Sequence, residues 1–86
     1  MKLTDNQSKL YHSHTFRNRR EINQSEYCHC IGCIKTYPSP IVMNFIKDGI
    51  DETAICPYCG IDAVIGDAAG LEINPDILKA LNKRWF

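Results

Sequence analysis

The sequence predicts a small zinc-stabilised α+β fold, a zinc ribbon with two cysteine knuckles on β-hairpins and a C-terminal helix. Three observations predict it. Cys30-Ile31-Gly32-Cys33 and Cys56-Pro57-Tyr58-Cys59 are two Cys-x-x-Cys steps separated by 22 residues, the spacing in which four thiolates surround one tetrahedral zinc. The 86 residues make one small domain, whose apolar core is marginal without a staple. The segments beside the second pair are rich in β-branched residues, and the last dozen residues carry clear helix punctuation.

Residues 1–14 are polar, with Leu3, Leu10 and Tyr11 the large apolar groups beyond Met1. They read as a flexible or helical arm, ahead of a single zinc-ribbon-like domain over residues 15–86. Residues 15–25 read as a short helix with Thr15 as its N-cap. Tyr37-Pro38-Ser39-Pro40 is a turn. Ser39 as N-cap and Pro40 at the first helical position predict a second short helix, with Ile41, Val42, Phe45 and Ile46 on one face. Asp48-Gly49 ends it. Glu52 to Ile55 is then a strand entering the second cysteine pair, and Ile61 to Ile65 is the strand returning from it. Gly60 can take the left-handed backbone such a knuckle needs. In the last helix Asn74 is the N-cap, Pro75 sits at the first position, and Asp76 complements the dipole. Ile77, Leu78, Leu81 and Trp85 share a face by their spacing, and Lys83 and Arg84 occupy the last turn. This helix is expected to lie across the second hairpin. A treble clef, in which the second cysteine pair starts a helix, is the alternative architecture.

The expected metal ligands are Cys30, Cys33, Cys56 and Cys59, holding one structural Zn2+. Four thiolates can also hold iron. Five cysteines are present, an odd count that speaks against a complete disulfide framework. Cys28 shares a strand face with Cys30 and could replace it, accept metal during loading, or be a spare, half-buried thiol; the last is the simplest reading. His29 points away if its segment is extended. His12 and His14 could each supply a fourth ligand, but four thiols already complete a tetrahedron. No stretch has the apolar length of a signal peptide or membrane span. A cytoplasmic chain with reduced thiols and no membrane association is therefore expected.

The formal net charge is zero but unevenly placed. Residues 1–35 carry six basic against three acidic groups, and residues 36–86 carry four against seven. Four thiolates around one zinc would add two further negative charges, unlike the strongly basic balance of a dedicated nucleic-acid binder.

At CPYCGIDAVIGD, residues 56–67, the chain resembles a family of short bacterial proteins described only as cytoplasmic proteins. Their pattern is a glycine-flanked C-x-C-x-x-C, then T-A-x-C-P-Y-C-G-I-D-S-V-I-G, and a terminal W-F. Here these are Cys28 to Cys33, Thr53 to Gly66, and Trp85-Phe86, so the resemblance spans residues 27–86. His29 replaces a glycine and Ala63 replaces the serine, so a polar contact made through that serine would be missing. The resemblance implies a zinc-ribbon-like fold and a cytoplasmic home, and carries no defined activity.

For function, a non-enzymatic protein-interaction module fits best: a rigid zinc scaffold with apolar surface at Tyr37 to Ile46 and Trp85-Phe86 for an unknown protein partner. Ordinary core packing competes with that use of each group. The alternative is nucleic-acid binding through Arg17, Arg19 and Arg20, with Lys9 and Lys35 near in sequence and Tyr11 and Phe16 to stack on bases. A metal-dependent hydrolase is third, because a closed four-cysteine site leaves no position for water. Asp62 and Asp67 suit turns and supporting contacts better than catalysis, and Cys28 has no base facing it.

Overall fold

The computed structural model describes residues 2–86; Met1, part of the expected arm, lies outside the described residues. The chain runs through α1 (Asp5–Ser13), α2 (Arg19–Asn23), β1 (Tyr27–Cys30), β2 (Lys35–Pro38), β3 (Phe45–Asp48), β4 (Asp51–Ala54), β5 (Val64–Gly66) and α3 (Pro75–Trp85). Two antiparallel sheets result. One has the order β2-β1-β5 and the other is the β3-β4 hairpin. Three helices and two sheets enclose a core that includes Ile22, Ile31, Tyr37, Val64, Ile65, Ile77 and Leu81.

Of the two forms expected for the N-terminal arm, the helical one is observed. Thr4 caps α1: its Oγ1 accepts from Gln7 N–H at 3.1 Å, and Gln7 Oε1 accepts from Thr4 N–H at 2.8 Å. This reciprocal capping box satisfies two donors that a bare helix end leaves orphaned. Tyr11 buries its ring and donates its hydroxyl to Glu72 O, which fastens α1 to the segment leading into α3.

The helix expected over residues 15–25 is shorter, and Thr15 does not cap it. Thr15 donates its hydroxyl back to His12 O, Arg17 takes a left-handed φ of 51°, and the helix begins only at Arg19 with Asn18 before it. The second expected helix does not form either. Pro40 lies in a single 3-10 turn, Ser39–Ile41, after which Phe45 and Ile46 enter β3. β-branched and aromatic side chains favour that extended course, and β4 lies alongside to pair with it, Phe45 opposite Ala54 and Asp48 opposite Asp51.

That pairing changes the topology around the second cysteine pair. The strand into it is observed as β4, but β5 does not return along β4. One edge of β4 is occupied by β3. On the other, Asn18 Oδ1 accepts from Ala54 N–H at 3.0 Å, and beside it the Thr53 side chain accepts from Arg17 N–H through its Oγ1 at 2.8 Å. The chain leaving the second pair instead meets β1, which still has an open edge. Ile31 N–H donates to Ala63 O at 3.0 Å, and Cys30 pairs with Val64, His29 with Ile65 and Cys28 with Gly66. The first knuckle therefore tips the β1-β2 hairpin as expected, whereas the second sits in a crossover between the two sheets. The treble-clef alternative is not formed, since no helix begins at Cys56 or Cys59.

The start and the buried face of the C-terminal helix match expectation, but the second hairpin it was expected to cross is not formed, and Asn82 ties the helix to the first knuckle instead. Asn74 Oδ1 accepts from Ile77 N–H at 2.9 Å, Pro75 is the first residue, and Ile77, Leu78 and Leu81 are buried. Trp85 is half-buried at the end of the same stripe.

Candidate metal centre

Both knuckles use one local device. In the first, Ile34 N–H donates to Cys30 O at 2.9 Å; in the second, Gly60 N–H donates to Cys56 O at 3.0 Å. Closing such a turn requires a left-handed residue after the second cysteine, and φ is 59° at Ile34 and 76° at Gly60. Glycine adopts this readily, whereas a β-branched residue costs about 1–3 kcal/mol there. Replacing Ile34 by glycine should relieve more strain than it adds in chain entropy. We expect Ile34→Gly to stabilise the metal-loaded protein by about 1 kcal/mol, a rise of roughly 4–8 °C in Tm for a domain of this size, read in a thermal melt.

The two turns bring Cys30, Cys33, Cys56 and Cys59 together, with all four Sγ atoms within 4.8 Å of one another. Cys30 Sγ lies 3.6 Å from Cys59 Sγ, and Cys33 Sγ lies 3.8 Å from Cys56 Sγ. Bonded sulfurs would stand about 2.05 Å apart. Sulfurs at the corners of a tetrahedron with metal bonds of about 2.3 Å stand about 3.8 Å apart. The donor set and its spacing fit a tetrahedral thiophilic ion such as Zn2+. These are the four residues the sequence selects.

The site is lopsided. Cys30 and Cys56 are buried, Cys33 is half-buried and Cys59 is exposed. Burial pushes the Cys30 thiol up, and the nearby sulfurs of Cys59 and Cys56 add to that, against the amide donors of Cys33 and Gly32. Cys56 differs. Burial alone would raise it, but donation from the Tyr37 hydroxyl, the amides of Cys59 and Tyr58, and the Cys59 thiol outweighs burial and brings it down to about 6. Tyr58 N–H lies 3.4 Å from Cys56 Sγ. The Tyr37 hydroxyl is buried without a hydrogen-bond partner of regular geometry, and its influence at Cys56 favours the thiolate there. The donors around Cys56 favour its thiolate, the form that binds metal.

Asn82 is a supporting residue that periodicity does not reveal. From α3 its Nδ2 donates to Ile31 O at 2.9 Å and to Gly32 O at 3.0 Å, fixing the first knuckle from outside. Loss of such outer contacts commonly lowers metal affinity 10–100-fold. Asn82→Ala should leave the chain folded and weaken metal binding by about tenfold, measured by competition with a chromophoric chelator.

The remaining candidates lie elsewhere. Among the described residues Cys28 belongs to no metal cluster, and it is fully buried rather than half-buried; burial, with Asp67 nearby, pushes its thiol up to about 12. His29 faces away as expected, its Nδ1 2.8 Å from Thr36 Oγ1. His12 stacks on Trp85 at 4.2 Å between centroids, and His14 pairs with Glu21 at 2.9 Å. Asp67 accepts from the amides of Glu26 and Tyr27, both at 3.0 Å, and so holds the entry to β1.

Two arginines of the basic segment have partners within the fold, and Arg20 is exposed. Arg17 lies 3.5 Å from Asp48. Arg19 contacts Glu52 at 2.6 Å and lies over the Phe45 ring at 4.6 Å. Among the described residues, no helix is long and apolar enough to cross a membrane. Comparison with known proteins gives no match to a protein-family model, a curated protein or a solved structure.

Proposed function

We propose that this is a small zinc-binding protein whose Cys30, Cys33, Cys56 and Cys59 hold one structural Zn2+, and that the scaffold so formed is a non-enzymatic protein-interaction module of the cytoplasm. One observation carries the reading: four sulfurs, drawn from two distant turns, converge within tetrahedral reach of a single point. When bound, the ion supplies cross-linking. A site closed by four thiolates keeps no open position at which to activate water. The chain's own residues complete the site, with Tyr37 and the Tyr58 amide favouring the Cys56 thiolate and Asn82 fixing the first turn. Reduced thiols, as the cytoplasm maintains them, are what such a site requires.

Exposed apolar side chains at Met43, Ile46, Ile50 and Tyr58 support the interaction reading. The ion pairs of Arg17 and Arg19 weigh against nucleic acid, because a guanidinium held by a carboxylate has less to offer a phosphate. Native mass spectrometry of protein purified under reducing conditions tests the metal: one zinc per chain is expected, and apoprotein or iron overturns the assignment. The partner class is tested on mixed oligonucleotides across a salt series. No retention is expected. Retention that fades steeply with salt would move the assignment to nucleic-acid binding.

A further inference from the structure

The outer edge of β3 has no strand beside it among the described residues. Which backbone groups it presents follows from the β3-β4 ladder. Ile55 N–H donates to Asn44 O at 2.9 Å, and the register that places Phe45 opposite Ala54 places Asn44 opposite Ile55. Hydrogen-bonded pairs recur at every second residue of an antiparallel ladder. Ile46 and Asp48 therefore turn their N–H and C=O groups toward β4, and Phe45 and Lys47 turn theirs outward. The parity agrees on β4, where Ala54 N–H, opposite Phe45, points away from β3 to Asn18. The edge is also apolar: Met43 is 79% exposed, Ile46 50%, and Ile50 at the hairpin tip is fully exposed. Strands left open in this way are ready templates for pairing, and proteins usually guard them with proline, bulges or several charges. β3 contains no proline; its guards are its short length and the charges of Lys47 and Asp48, which a partner strand must accommodate.

The geometry points to a second copy of this chain as the occupant, its β3 paired antiparallel to this one about a two-fold axis. A two-fold places residue i opposite j and j opposite i, and outward residues must meet outward residues. Three central registers satisfy both conditions. Lys47 opposite the partner's Lys47 sets like charges face to face, which destabilises a pair. Phe45 opposite the partner's Phe45 leaves Ile46 facing the partner's Asn44. The third places Phe45 opposite the partner's Lys47, and every outward N–H and C=O of both residues then finds a partner. It also centres Ile46 on the partner's Ile46 at a non-hydrogen-bonded position, where side chains approach most closely. The aliphatic stem of Lys47 lies along the partner's Phe45 while its ammonium stays in water. At the flanks the Asn44 amide meets the partner's Asp48 carboxylate. This third register is the one we assign.

The test uses the full-length, metal-loaded protein. Sedimentation equilibrium over a concentration series should show a reversible monomer–dimer equilibrium. Hydrogen exchange should slow at the Phe45 and Lys47 amides as concentration rises, while Ile46 and Asp48, already bonded to β4, stay unchanged. Ile46→Lys sets like charges across the axis. Lys47→Pro removes an outward donor, which an edge strand tolerates, and leaves the β3-β4 ladder intact. Each should weaken the dimer roughly tenfold or more, with thermal melts and metal content showing that the subunits remain folded. A chain that stays monomeric up to concentrations on the order of 1 mM overturns the proposal and returns the edge to a foreign extended peptide. A dimer whose protection falls on other amides, or one that ignores both substitutions, overturns it equally.

Discussion

Stripping the metal from the protein with a strong chelator should unfold it, and Cys56→Ser should unfold it with no chelator present. The magnitudes decide this. Structural zinc sites contribute on the order of 10–16 kcal/mol of apparent binding free energy at neutral pH, while whole domains are stable by about 5–15 kcal/mol. A chain this short sits toward the low end of that range. Without the ion the first knuckle is tied to the chain leaving the second by Ile31 to Ala63 and the β1-β5 pairing beside it, and the four sulfurs repel one another once ionised. Cys56 should be the most sensitive ligand, because it is buried and because Tyr37 and the Tyr58 amide stabilise its thiolate. A serine hydroxyl does not ionise at neutral pH and is a poor ligand for a soft ion. Cys59→Ser, at the exposed corner, should also lose most of the structure. Circular dichroism melts with parallel metal analysis provide the check, and a cooperative transition in either variant, or in chelated wild type, would contradict a structural role for the ion.

The four-cysteine cluster is legible because each Cys-x-x-Cys turn is local: it closes on itself, and two such turns need only meet. α3 was legible for a similar reason, since Asn74, Pro75 and the stripe Ile77, Leu78, Leu81 encode its start and its buried face within eight residues. Strand pairing is not local. Nothing within Ile61 to Ile65 states that β4 will already be occupied on both edges, so the hairpin expected there gives way to pairing with β1. The helix expected after Pro40 fails for the same reason, because Phe45 and Ile46 gain a neighbouring strand that their own segment cannot reveal. α1 is different. Its capping box, Thr4 with Gln7, is a start signal within the sequence that separates the helical from the flexible form. The arginines show the same limit: nothing within residues 17–20 states that Asp48 of β3 and Glu52 of β4 will be folded against Arg17 and Arg19.

Asn18 is expected to be the most costly polar side chain to replace outside the metal centre. It is 4% exposed and makes three hydrogen bonds: Nδ2 donates to Val64 O at 2.7 Å and to His14 O at 2.9 Å, and Oδ1 accepts from Ala54 N–H at 3.0 Å. One amide thereby joins the start of α2, β4 and β5, and it is the polar bridge between the two sheets. Asn18→Leu has nearly the right size but leaves the buried Ala54 N–H and Val64 O and the part-buried His14 O unpaired. Each unpaired buried group costs about 1–3 kcal/mol, so with partial relaxation the loss should be roughly 3–5 kcal/mol. Asn18→Asp separates the hydrogen bonds from shape. It keeps an acceptor for Ala54 N–H but turns a second oxygen, and a charge, toward the carbonyls of Val64 and His14. Its loss should match that of leucine at neutral pH and shrink as the carboxyl is protonated in acid, since a protonated oxygen can donate again. Chemical denaturation of the metal-loaded variants at neutral and mildly acidic pH reads both effects, the acid range stopping short of metal release. If Asn18→Leu costs less than about 1 kcal/mol, the bridge contributes no net stability, and the sheets are held together by the metal and the apolar core alone.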